Sequence, residues 1–179
     1  MSWTAGPGRG ILRLEKEEHR MYASPSNLSP SARRDVAASL NQRLAEGLDL
    51  HAQVKVAHWN VKGPLFPALH PLFEQFAVSL AAFNDQIAER AVTLGAIATG
   101  TVRQVAGVSD LPELPPGVVR GLDLVTLLAD RIDAYLVGLR TTRDLADGLG
   151  DGDTVDLLTQ VVTEFEKNAW FLRATAEGA

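Results

Sequence analysis

The sequence predicts an all-α protein, a four-helix bundle with one long crossover between helices 2 and 3, and three features carry that prediction. Apolar residues recur every three or four positions through four long stretches, the period of a helix with one buried face. The breaks between those stretches are short, long and short, which pairs the helices into two hairpins. Of the 179 residues 46% are hydrophobic, yet only six are Phe and two are Tyr. Ala and Leu therefore dominate the apolar set, as suits helices more than strands. A chain of this length fits one domain with a sizeable core.

Residues 1–28 alternate Gly, Pro, charge and short apolar patches, so an arm is expected there, with the bundle over 29–177. The run "SPSARRDVAASL" opens helix 1: Ser29 or Ser31 can cap it, and Pro30 suits its first turn. Leu40, Leu44 and Leu48 carry the period on through Lys55 and His58, and Gly63-Pro64 ends it. Helix 2 runs from near Pro67 to about Ile97 on a core stripe of Leu69, Phe73, Phe76, Leu80, Phe83, Ile87 and Leu94. The crossover "TGTVRQVAGVSDLPELPPGVV" has three prolines, no clear period and room for one short helix. Helices 3 and 4 follow over about 119–147 and 152–176, joined by the acidic turn "DGLGDGD".

Several function classes are excluded. Without cysteine there is no disulfide, thiolate metal site or Cys nucleophile. No apolar run approaches the roughly 18 to 20 residues that span a bilayer. Trp3, Gly6, Pro7 and Gly8 interrupt the block a signal peptide needs, so a cytoplasmic protein with no membrane partner is expected. A net charge of -5 gives the folded body no general attraction for nucleic acid.

The chemistry lies around one hairpin. His70 and Glu74 are four apart on helix 2 and share a face; so do Asp85 and Glu89. Eleven residues, about three turns, separate Glu74 from Asp85, so the stripe His70, Glu74, Ala77, Ala81, Asp85, Glu89 keeps to one side. Asp85 is nevertheless roughly 20 Å along the axis from His70, too far to share one ion within a chain. An antiparallel second copy across a two-fold axis would bring the His70/Glu74 end of one helix to the Asp85/Glu89 end of the other, with Ala77 and Ala81 permitting close approach. Two shared metal sites per dimer are the expectation. His58, across the short turn, joins His70. Imidazoles and carboxylates without thiolate suit Fe(II), with Zn(II) or Mn(II) as competitors. Lys55, one turn before His58, is placed to pair with Glu74 and compete with a second ion.

The run His58-Trp59-Asn60, then Gly63, Phe66, His70, Asp85 and "AER" at 88–90, together with the closing "EFEKNAWFLRA", resembles the Dps family, the miniferritins that protect DNA during starvation. The resemblance spans about residues 30–176 and implies a ferritin-like bundle assembled as a hollow homo-dodecamer. It implies a ferroxidase that oxidises Fe(II), preferably with hydrogen peroxide rather than oxygen, stores the ferric mineral and protects against oxidative damage. The five ligand positions match His58, His70 and Glu74 of one subunit and Asp85 and Glu89 of its two-fold mate. Two positions depart from the pattern: Glu74 stands where the family usually has Asp, and Pro71 and Gln75 stand beside the site where many members carry acidic nucleation residues.

Other features have two readings each. Trp59 quenches radicals by resemblance, or is a packed core indole. His51, about 10 Å before His58 along the axis, is structural or a weak secondary metal site. In the acidic turn, Asp at a helix start caps free amides; by resemblance Asp151, Asp153 and Asp156 line a three-fold pore that admits iron. A DNA-binding particle is the alternative function. Residues 1–34 carry six basic and three acidic side chains, net +3, and Arg9, Arg13, Lys16 and Arg20 are the candidate contacts, repeated twelvefold on an assembled shell.

Overall fold

The computed structural model describes residues 21–177. Among them are five helices, α1 (Pro30–Asn60), α2 (Phe66–Thr93), α3 (Val102–Val108), α4 (Gly121–Gly148) and α5 (Gly152–Ala176). α1 packs along α2 and α4 along α5, and the two hairpins close on each other through α1 with α4 and α2 with α5. No described helix is long and apolar enough to cross a membrane.

Local chemistry sets the ends. Ser29 is the cap of α1, its hydroxyl accepting from Ala32 N at 3.2 Å with Pro30 next in line. α2 stops at Thr93, earlier than its apolar stripe suggests, because Gly95 turns into the left-handed region (φ 98°) and Ala96 N reaches back to Ala91 O at 3.1 Å. Leu94 still enters the core, delivered by the turn rather than by the helix. Gly150 (φ 77°) reverses the chain between α4 and α5 in the same way, with Asp151 N bonded to Ala146 O at 2.9 Å.

The core runs the length of the bundle. Leu69, Phe73, Leu80 and Ile87 of α2 meet Leu124, Leu128, Tyr135, Leu158 and Phe165 of the other hairpin, all at most 1% exposed. Phe83, only half-buried, sets its ring edge-on to Phe165 at 6.1 Å. Removing one such leucine side chain costs about 2–5 kcal/mol. The short helix expected in the crossover is α3, strapped to α1: Gln42 Nε2 donates to Val108 O at 2.9 Å and Ser109 Oγ to Asp49 Oδ2 at 2.6 Å. The buried Arg131 holds the rest of the crossover by donating to Glu113 O at 2.8 Å.

Part of the expected arm belongs to the folded body. Tyr22 N donates to Gly95 O at 2.7 Å and Ser24 Oγ to Thr93 O at 2.7 Å, so residues 22–24 are tied to the end of α2. Arg33 completes the tie with a bond to Leu94 O at 3.2 Å. Arg9, Arg13, Lys16 and Arg20 lie outside the described residues.

Candidate metal centre

Two of the five sequence-picked ligands face each other where α1 ends and α2 begins. The imidazoles of His58 and His70 stack with centroids 3.8 Å apart and planes 21° from parallel. Each ring bonds the other residue's backbone: His58 Nδ1 to His70 O at 2.8 Å and His70 Nδ1 to His58 O at 2.9 Å. A carbonyl only accepts, so both Nδ1 atoms carry a proton, and Nε2 is the nitrogen each ring has left to offer a metal ion. Such backing of the second ring nitrogen is what orients imidazoles that ligate metals. The His58 carbonyl is available because the last carbonyls of a helix lack intrahelical partners, and Lys62 N turns instead to Val119 O. Phe66, 5.0 Å from His70, closes one side.

Glu74 stands one turn beyond His70, its Oε2 3.4 Å from His58 Nε2. The same oxygen accepts from Lys55 Nζ, the pairing the spacing anticipates. That bond, ahead of the charges of Lys55, His58 and His70, holds the Glu74 carboxyl below the usual carboxylate range. The carboxylate is thus ionised, half-exposed and already engaged by a cation.

Asp85 and Glu89 do not join this group. Both are exposed on α2 and neither has a hydrogen-bond or ion-pair partner among the described residues. Arg90, the neighbour best able to neutralise them, turns to α5, where it bonds Asp151 and Thr154 Oγ1. Among the described residues no three His, Asp or Glu side chains of one chain form a metal-holding group. Asp85 lines a cleft of about 420 Å³ between α1 and α2 together with His51. Burial, then Lys55, lowers the pKa of His51 below its ordinary value, so this imidazole is neutral.

Three expectations need correction. Trp59 is 67% exposed rather than a core indole, with Lys55 Nζ 5.8 Å above its ring. Ala77 is buried inside the subunit, because at 100° per residue the stripe drifts and position 77 turns inward; Ala81 stays outside. Asp151 is 3% exposed and saturated by Thr154 N, Thr154 Oγ1 and Arg90. Of the three expected pore residues, Asp153 and Asp156 offer carboxylates to solvent. What sequence reasoning missed altogether is the exchange of backbone carbonyls between the two histidines; their placement either side of a tight turn was its only signal.

The helix order, the single crossover and the face of imidazoles and carboxylates define a ferritin-like helical bundle, and a family model described as a ferritin-like domain matches residues 37–178. The DNA protection during starvation protein of Agrobacterium fabrum is 34% identical over 155 residues, covering 87% of this chain and 96% of its own. DpsC from Streptomyces coelicolor matches with a TM-score of 0.87 at 29% identity, over 91% of this chain and 95% of that one. A Dps protein from Vibrio cholerae, described as a member of a broad superfamily of ferritin-like diiron-carboxylate proteins, matches with a TM-score of 0.81 at 27% identity, over 87% and 99%. This chain belongs to the Dps family of the ferritin-like superfamily.

Proposed function

We propose that the protein oxidises and stores iron as a homo-dodecamer, at sites built between two-fold-related subunits. The observation that supports this most is the division of one helix into complementary halves. One end carries two imidazoles anchored through Nδ1, with Nε2 left to face an ion, and an ionised carboxylate. The other carries two carboxylates with no partner of their own among the described residues. Antiparallel pairing joins the halves and relieves both deficits, the unneutralised charge of Asp85 and Glu89 and the incomplete ligand set of His58 and His70.

Fe(II) is the substrate. Carboxylates from the partner, with His58 and His70, hold the first ion; Glu74 contributes to a second position once Lys55 has withdrawn. Each peroxide takes one electron from each of two Fe(II) ions as its O–O bond breaks to two hydroxides. Consuming iron and peroxide together is the protective act, in keeping with the names of the relatives. Trp59, exposed beside His58, is placed to intercept radicals that escape, and Asp153 and Asp156 to attract Fe(II) toward an entry pore.

Anaerobic Fe(II) titration followed by a peroxide pulse tests the reading, on the parent protein and on Asp85→Ala/Glu89→Ala. Fast ferric absorbance in the parent and its loss in a variant of unchanged size are expected. Equal rates in both would leave the constellation without a catalytic role. DNA binding is the second reading, supported by the +3 charge of residues 1–34.

A further inference from the structure

Most buried polar atoms in the bundle find partners, but three side chains that meet near its centre keep atoms without one among the described residues. Asn84 of α2 is 4% exposed and neither atom of its amide has a protein partner among the described residues. Tyr135 of α4 is wholly buried with an unpartnered hydroxyl. Glu46 of α1 is 4% exposed; Arg43 and Gln42 take Oε1, and Oε2 is left over. The three converge on Gly47. A Cβ there would stand 2.1 Å from Asn84 Oδ1 and 2.8 Å from Tyr135 Oη, so both polar groups occupy the notch that the glycine leaves beside the backbone of α1. Glu46 is the adjacent residue, and its Oε2 lies 2.9 Å from where a Cβ of Gly138 would be, one turn along α4 from Tyr135. Proximity shows in the electrostatics too: after burial, the charge of Glu46 is what raises the Tyr135 pKa most.

Unpartnered polar atoms at this depth are rare, because each forfeits its hydration without return. The unused atoms here are of both kinds, and the Nε of Arg43, also buried and unpartnered among the described residues, adds a further donor beside Glu46. Asn84 Nδ2 and the Tyr135 hydroxyl are donors, while Asn84 Oδ1 and Glu46 Oε2 are acceptors. A cation does not fit, since the group has one carboxylate, already paired with Arg43, and no imidazole. Donors and acceptors brought together in this way suit a water molecule, which can accept from the one and donate to the other. We infer that the bundle centre binds an internal water, held by Asn84, Tyr135 and Glu46, that joins α1, α2 and α4 through one polar node. Asn84 also lines the cleft that contains Asp85.

A crystal structure of the full chain that shows ordered solvent tests the inference. A peak within about 2.7–3.2 Å of the Tyr135 hydroxyl and of at least two of the other unused atoms is expected. Asn84 swung into a direct bond with Tyr135, with no peak between the helices, would overturn it. Unfolding rates in denaturant give an independent readout. Tyr135→Phe and Asn84→Leu should each speed unfolding about tenfold, and the double variant no more than the worse single, because both lose the same water. Effects that multiply would refute the shared node.

Discussion

Replacing Asp151 separates the structural from the transport role of the acidic turn. Its carboxylate, 3% exposed, caps α5 through Thr154 N at 3.2 Å, accepts from Thr154 Oγ1 at 2.6 Å and pairs with Arg90. Loss of the cap alone costs about 1 kcal/mol. Breaking a buried ion pair costs about 3–5 kcal/mol. Arg90 is 15% exposed and would keep Thr154 Oγ1 at 2.9 Å and Asp153 at 3.7 Å. The pair's share therefore falls to about 2 kcal/mol, which with the cap makes about 3 kcal/mol for Asp151→Ala. Asp151→Asn keeps the cap and should lose about 2 kcal/mol. Urea unfolding followed by circular dichroism reads this as a lower midpoint at unchanged slope. A loss below about 1 kcal/mol for Asp151→Ala would refute the assignment of this residue to the α2–α5 clamp. Asp153→Asn/Asp156→Asn should leave the midpoint in place and slow Fe(II) uptake in stopped-flow; unchanged uptake would remove the pore role.

Four further outcomes are expected. Lys55→Gln removes the cation that occupies Glu74, so calorimetric Fe(II) titration should show the second ion binding about tenfold tighter or more, and an unchanged isotherm would mean that Lys55 does not compete. In the same variant the Glu74 carboxyl should return toward its ordinary range. Since Lys55 depresses it in the folded chain, the pair's contribution is present above that range and lost as pH falls through the lowered value, which infrared carboxylate bands can follow. Tyr135 has the opposite sign. Burial raises its pKa, so stability is complete below the ordinary tyrosine range and declines as pH rises above it; Tyr135→Phe should flatten the alkaline side of the profile. For DNA, a low-salt gel shift should retard the full-length protein and not a chain lacking residues 1–20; no retardation of either would exclude binding.

The long helices were legible in the sequence because their apolar residues keep a 3.6-residue period over many turns. Helix ends were legible where a residue acts on its own neighbours, as Ser29 does at α1. α2 was read too long because the apolar stripe continues through Leu94 while the backbone already turns at Gly95. In the site, spacing alone placed His58, His70, Glu74 and Lys55 together, since all four lie within two turns of one hairpin. Asp151 was legible as the cap of α5, but its burial was not, because its partner, Arg90, lies 61 residues earlier and carries no local signal. The Asn84, Tyr135 and Glu46 group was invisible for the same reason, drawing one residue from each of three helices. Trp59 was open to two readings because an aromatic near a core residue faces either way, and the rotation of two residues, about 200°, from buried Ala57 decides it.

The crossed bonds between His58 and His70 have a thermodynamic consequence. Two rings anchored by each other's backbone have surrendered their rotamer freedom when the hairpin closes, before any ion arrives. The entropy of ordering these ligands is charged to folding rather than to binding, the reverse of a domain that folds around its metal. Chelators should therefore strip the protein without loosening it, and the empty site stays ready for each successive ion.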